Sequence, residues 1–222
     1  MQRFFDIVFT SLALLMLSPL MIPIVIILRF SGEGEILYKQ NRVGINGKSF
    51  GLLKFATMLK NSPNLGTGNM TVKNDPRILH LGYFLRKTKI NELPQLLNIF
   101  LGDMSIIGPR PLTQDHFDGY LPVVQEAIAS VRPGLSGLGS IVFRDEEEML
   151  HQHKDAKQFY KENILPYKGS LEVWYVKNNS LLMYFALIAL TAWMVIFSET
   201  KSVWKVFPSL PKPPVALNKY FL

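Results

Sequence analysis

The chain has 222 residues, enough for one domain of ordinary size with membrane segments added. It contains no cysteine, which excludes a disulfide framework and thiol catalysis. With 48% hydrophobic residues, a mean hydropathy of +0.17 and a net charge of +7, it calls for an apolar environment and an anionic partner.

Every residue between Asp6 and Arg29 is uncharged, and the run is long enough to cross a hydrocarbon core as a helix. Its length and the lack of a small-residue cleavage site argue against a secretory signal. Ser18-Pro19 lies in the middle, with Pro23 one turn later. Proline removes a backbone donor and crowds the preceding turn, so a kink is predicted near Ser18, whose hydroxyl can satisfy the freed carbonyl. A kinked apolar helix can span, or dip in and return. Beyond Arg29 the cations Lys39, Arg42, Lys48 and Lys54 mark the cytoplasmic side.

Residues 32 to 60 alternate apolar and polar around Gly44-Ile45-Asn46-Gly47, which predicts a hairpin. Gly66 to Asn69 reads as loop and Asp75-Pro76 as a turn. Residues 78 to 86 predict a short helix with Leu79, Phe84 and Leu85 inward. The next helix is expected to take Asn91 as N-cap, Pro94 in its first turn, Leu93, Leu96, Leu97 and Phe100 on one face, and Gly102 as its end. Its start, near Arg77, Arg86, Lys87 and Lys89 in sequence, would favour a phosphate. Taken singly, these features also fit a plain cap, a helix-dipole acid and a solvated basic face.

Asp145 to His153 predicts a solvated acidic helix rather than a metal site. A second uncharged run, Asn178 to Ser198, fits a spanning and an interfacial helix equally. The cationic tail after it, with Lys201, Lys205, Lys212 and Lys219, resists export. LPKPPV reads as an extended tail. No nucleic-acid motif is present, and a membrane accounts for the basic charge without one.

RFFDI, the Ser18-Pro19 pair, YKQNRVGINGKSFGLLKF, KNDPR, FLRKT, NELPQLLNIFLGDMSIIGPRP, VRPGLSGLG and YVKNNS follow one another along the chain. In this order and spacing the sequence resembles the bacterial sugar transferases of the monotopic phosphoglycosyl transferase type, from Arg3 to about Ser180. The resemblance implies an α/β, helix-rich, membrane-associated fold. Residues 1–30 would form a re-entrant kinked helix hinged at Ser18 and Pro19. Residues 31–177 would form a cytoplasmic catalytic domain, with a small hairpin and amphipathic interfacial helices around the active site. Residues 178–222 would form an apolar membrane or interfacial helix and a tail.

The implied reaction is transfer of a sugar-1-phosphate from a UDP-sugar to undecaprenyl phosphate, with Mg²⁺, releasing UMP. It would be the first membrane step of surface-glycan assembly, on the cytoplasmic face of the bacterial inner membrane. The expected partners are the UDP-sugar, undecaprenyl phosphate and the bilayer, with no nucleic acid. The resemblance assigns phosphate or substrate contacts to Lys54, Arg77, Arg86, Arg110 and Arg132, and the metal to Glu92. In the family an Asp-Glu pair does the chemistry, the Asp attacking phosphorus to form a covalent intermediate. Here Asn91 stands at the Asp position, with Glu92 retained, and Ala56 stands where the family usually has Arg. Two other readings follow from these departures and from the apolar ends: a catalytically impaired binder of the same ligands, and a membrane adaptor without a small-molecule site.

Overall fold

The computed structural model describes residues 1–64, 75–197 and 202–221; the loop expected over Gly66 to Asn69 lies outside them. The chain divides into two compact units. One gathers Phe4–Asn41 and Gly51–Gly102; the other gathers Met1–Arg3, Arg42–Phe50 and Asp103–Leu222.

The first unit opens with α1 (Gln2–Arg29), which runs as one helix through Pro19 and Pro23. Pro19 cannot donate to the Leu15 carbonyl, and the Ser18 hydroxyl does so instead at 2.8 Å. By length and composition α1 can cross a membrane, and only 11% of its most apolar window is buried by protein. Near its end Ile24 and Leu28 join Phe55 and Leu85 in the unit's core.

The expected hairpin is formed by β1 (Leu37–Val43) and β2 (Ser49–Phe55). Asn46 at φ 56° and Gly47 at φ 71° both take the left-handed conformation, which is why Asn-Gly suits this turn. In α2 (His80–Lys87), Leu85 is buried as expected, but Phe84 is 56% exposed. Gly82 supplies the reason: a Cβ there would sit 2.3 Å from the Thr57 carbonyl oxygen, so Gly82 and Leu85 face inward and Phe84 turns out.

The following helix, α3 (Gln95–Leu101), ends on Gly102 at φ 101°, as predicted. Its inner face differs from the expected one. Gln95, Leu96, Asn98 and Ile99 are buried, whereas Phe100 is 43% exposed. Asn98 accepts from Leu53 N at 2.9 Å and donates to the Gly51 carbonyl at 2.8 Å, so its amide substitutes for a neighbouring strand along β2. Those two bonds set the helix rotation.

In the second unit β3 (Ser105–Ile107) leads through α4 (Gln114–Asp118) and α5 (Pro122–Ala129) to β4 (Gly134–Ser136). The two strands are parallel, with Ser105 opposite Gly134 and Ile107 opposite Ser136. A helical crossover is what a parallel pair requires. Tyr120, Val124 and Ile128 form a core with Leu112, Phe117, Leu165 and Val173. Then come α6 (Leu138–Val142), α7 (Glu146–His151), α8 (Ala156–Phe159), a π-helical turn at Tyr160–Ile164 and α9 (Leu165–Asn178). The acidic segment is solvated as expected at Glu147 and Glu148, but Glu146 is ion-paired with Lys168 and Met149 is buried.

The apolar helix α10 (Leu181–Phe197) buries Met183, Tyr184, Leu187, Leu190 and Met194, a stripe of helical spacing. Thr191 hydrogen-bonds Ser136 through their hydroxyls at 2.9 Å, and Arg144 donates to the Met194 carbonyl. Leu182, Val195, Ile196 and Phe197 stay exposed. After α11 (Ser202–Val206) a turn at 208–210 leads into 211–214, which form no helix or strand, in keeping with the extended reading of LPKPPV; a short 3-10 turn and α12 (Asn218–Phe221) then end the described tail. Leu217 and Phe221, four residues apart, are both fully buried, and the Phe221 ring meets Phe143, Tyr167 and Trp204.

Candidate active site

In the first unit the site residues sit on the connection between α2 and α3. Lys89 takes a left-handed backbone at φ 59° and ψ 8°, uncommon for a residue with a side chain. A 3-10 turn, Ile90–Glu92, follows, closed by Glu92 N to Lys89 O and Leu93 N to Ile90 O, each 3.0 Å. Asn91 is therefore inside a tight turn. It makes no capping bond, and Pro94 occupies the cap position of α3. A 3-10 turn advances about 120° per residue, so Asn91 and Glu92 point in different directions. Asn91 is buried, with its Oδ1 lacking any hydrogen-bond partner among the described residues. Glu92 is half-buried and its Oε1 lies 3.4 Å from Lys54 Nζ. Lys54 comes from β2, the strand that Asn98 fastens to α3.

Arg86 donates to the Thr57 hydroxyl at 3.4 Å, and Thr57 is buried. Ala56 is buried as well, its amide bonded to the Ile36 carbonyl at 2.9 Å. Arg77 is held inside the protein. Its guanidinium meets both oxygens of Asp75, at 2.8 and 2.6 Å, and donates to the Ser62 carbonyl at 2.7 Å. Such a two-pronged pair is geometrically specific and fixes the arginine plane. Neither Asp75 nor Asn98 stood out in the sequence; the signals available were an acid two residues from an arginine and an amide within an apolar helix.

In the second unit the structure brings together the loops that carry Arg110 and Arg132. Gly108 N donates to Ser136 O at 2.9 Å, Ser105 N to Pro133 O at 2.9 Å and Gly134 N to Pro109 O at 2.8 Å. A Cβ on Gly134 would stand 2.1 Å from Gly108 N, and one on Gly137 would stand 2.0 Å from Gly108 O. Backbone meets backbone here, so these glycines admit no side chain. Arg110 also acts on Tyr160: burial and Glu146 push the tyrosine hydroxyl up to about 12, while Arg110 pulls it down.

One buried acid had no signal in the sequence reading. Glu172 of α9 is 5% exposed, and burial pushes its carboxyl up to about 7 against the opposing pull of Lys168 and the Gly139 N–H. Burial likewise raises Tyr120, with Tyr160 and Glu172 adding to the effect.

Mg²⁺ takes one or two carboxylates and completes its shell with substrate phosphate oxygens. At the α2–α3 turn Glu92 offers one half-buried carboxylate, whereas Asn91 Oδ1 is buried and turned away from it. Among the described residues no group of three acidic or histidine side chains forms an all-protein metal cage.

A family model described as bacterial sugar transferase matches residues 1–198. The chain belongs to the bacterial sugar transferase family. This transferase is 38% identical over 159 residues to the exopolysaccharide production protein ExoY of Rhizobium meliloti (strain 1021), covering 65% of the chain and 70% of the relative. It is 33% identical over 210 residues to the undecaprenyl-phosphate galactose phosphotransferase of Salmonella typhimurium (strain LT2), covering 88% of the chain and 40% of the relative. It is 33% identical over 178 residues to the UDP-glucose:undecaprenyl-phosphate glucose-1-phosphate transferase of Escherichia coli (strain K12), covering 79% and 37%. The transferase thus matches about two-fifths of the length of those last two relatives. The family match stops before α11, so the segment that carries Phe221 lies outside it.

Proposed function

We propose that this bacterial sugar transferase moves a sugar-1-phosphate from a UDP-sugar to undecaprenyl phosphate, with release of UMP, as the first membrane step of surface-glycan assembly. The observation that carries the reading is the Lys54–Glu92 pair at 3.4 Å beside the unpartnered Asn91 Oδ1, inside the NELPQLLNIFLGDMSIIGPRP frame. The named activities of the Salmonella and Escherichia relatives support it.

Two anionic substrates repel one another, and Lys54 and Arg86, in the unit that holds Glu92, offset that repulsion; Arg110 and Arg132, within the other unit, are read as further phosphate contacts. Glu92 would hold Mg²⁺, which would supply charge neutralisation at the diphosphate when bound. Asn91 is an amide without a nucleophilic lone pair on nitrogen, so we assign it no attack. An oxygen of the lipid phosphate forms the new bond to the sugar-bearing phosphorus. The bond from that phosphorus to the bridging oxygen breaks, and UMP leaves with the electron pair. Arg77, closed on Asp75 and Ser62, orders the protein around the site.

The membrane placement belongs to the same reading. Gln2, at the start of α1, donates to Ser105 Oγ and to the Ile107 carbonyl within one unit. Ile24 and Leu28, near its end, are buried in the core of the other. Pro19 and Pro23 inside α1 and the cations that follow Arg29 support entry and exit on the cytoplasmic face of the inner membrane. The packed stripe on α10 supports an interfacial helix there. Cysteines placed at Arg3 and Ser31 are expected to label from the same side of the membrane. Opposite sides would refute the re-entrant placement.

The activity is tested with the full chain in lipid nanodiscs containing undecaprenyl phosphate and Mg²⁺. UDP-glucose and UDP-galactose are supplied in turn and UMP is measured. UMP release without a covalent sugar-phosphate adduct in intact-protein mass spectrometry is expected. An adduct on Glu92 would replace direct displacement by a two-step route. Nucleotide binding without UMP release would make the protein a silent binder.

A further inference from the structure

A buried acid is retained against its own solvation only where something holds it. Glu172 is 5% exposed; its Oε2 has no partner among the described residues, and its Oε1 lies against Gly139. The fit is close: a Cβ on Gly139 would stand 2.3 Å from Glu172 Oε1. Gly139 belongs to the same short stretch as Arg132, Gly134 and Gly137. That stretch is bonded by its backbone to Gly108 and Pro109, next to Arg110. Glu172 therefore fastens one end of the backbone assembly that carries both arginines.

We propose that Glu172 is a positioning residue for substrate binding, acting through its close contact with Gly139 to fix the loops of Arg110 and Arg132. The proposal rests on the reading of those arginines as phosphate contacts. No atom of Glu172 is assigned to the reaction itself. The groups facing the carboxyl are Lys168 on its own helix and Tyr120 before α5, with Gly139 of α6 packed against it and Glu146 of α7 drawn onto Lys168. Burial outweighs the pull of Lys168 and favours the neutral acid, so ionisation puts a poorly solvated charge against the packed Gly139 backbone. The loops are thus held best below about pH 7 and loosen above it.

The test uses the full chain in nanodiscs with Mg²⁺ and UDP as the probe, its affinity measured by calorimetry from about pH 6 to about pH 8, either side of the neutral range. In the wild type the affinity is expected to fall as the pH rises. Glu172→Gln, which keeps shape and stays neutral, serves as the internal control for titration of UDP itself and should be flatter with pH. Glu172→Ala should weaken binding on the order of tenfold at every pH, the size expected when contacts are misplaced from a distance.

Gly139→Ala should show the same defect, because its methyl group displaces the carboxyl. In the Glu172→Ala background it should be harmless, since nothing remains to displace. A wild-type pH profile in Glu172→Gln, or a Gly139→Ala defect that persists without Glu172, overturns the proposal. Arg110→Ala is measured beside them. If it leaves UDP affinity unchanged, the reading of the arginines fails. If it weakens binding while Glu172→Ala and Gly139→Ala do not, the positioning role alone fails. A Glu172→Ala chain that does not fold leaves the Gln and Gly139 variants to decide.

Discussion

The turn at Asn91-Glu92 and the loops of Arg110 and Arg132 are built on opposite principles. At the turn, the proposed chemistry rests on the charge of Glu92, and the backbone before it is left-handed at Lys89. At the loops, the decisive feature is the lack of side chains: Gly108, Gly134 and Gly137 let backbone bond backbone, and the arginines are carried along. The lesson is that chemistry at the first should be separable from folding, whereas substrate affinity at the second should not.

The largest effect should come from the turn. Glu92→Gln is expected to lower UMP release by roughly 10²–10⁴ while circular dichroism and melting temperature stay near those of the wild type. A parallel loss of stability would erase the contrast. Asp75→Asn tests whether every charge in the first unit behaves like Glu92. It leaves Arg77 buried and half-paired, so a loss of about 3–5 kcal/mol is expected in denaturant unfolding, with activity falling only as the fold does.

Gly134→Ala strikes the second region with both arginines intact. Its methyl group meets backbone at 2.1 Å, and overpacking of this kind should destabilise by about 3 kcal/mol and weaken UDP binding together. Stability lost with affinity retained would show that the loops are scaffold alone.

A smaller and pH-dependent effect comes from Glu172. Its carboxyl is raised in the folded state to about 7, so the stability it contributes is complete in acid and is lost as the pH rises through neutrality. Glu172→Gln should match the wild type near pH 4, and by pH 8 should exceed it by roughly 2–3 kcal/mol in chemical denaturation. An advantage that is constant with pH would remove titration as its cause. The smallest change is Lys89→Gly. Relief of the left-handed backbone should shift stability by no more than about 1 kcal/mol, and a fall in UMP release would show that the strain helps place Glu92.

Much of the fold was legible because local rules governed it. Asn46-Gly47 specified its turn, Gly102 ended its helix, and the Ser18 hydroxyl found the carbonyl that Pro19 freed. The Asn91-Glu92 pair and the arginines were singled out by motif order alone, and the structure shows where each of them sits. What escaped was decided by contacts distant in sequence. Asn98 looked like an outward residue of an amphipathic helix, yet it is bonded to a strand more than forty positions away. Arg77 read as a free cation because only the fold shows Asp75 and the Ser62 carbonyl closing around it. Glu172 sits in a helix without a clear apolar stripe, and only the space left by Gly139 reveals it. Hydropathy likewise ranked α1 and α10 together, although one is almost bare and the other lays a stripe of five residues on its own unit.

The three glycines at 108, 134 and 137 also bear on how such chains diverge. Any descendant that keeps this backbone must keep them, whatever has happened to its nucleophile or its metal. Substitution at Asn91 or Ala56 alters chemistry while leaving the architecture standing; substitution at Gly108 removes the architecture first. A search for relatives anchored on the glycines would therefore gather active and lapsed transferases alike. One anchored on the Asp-Glu pair would pass over chains such as this, in which Asn91 stands before Glu92.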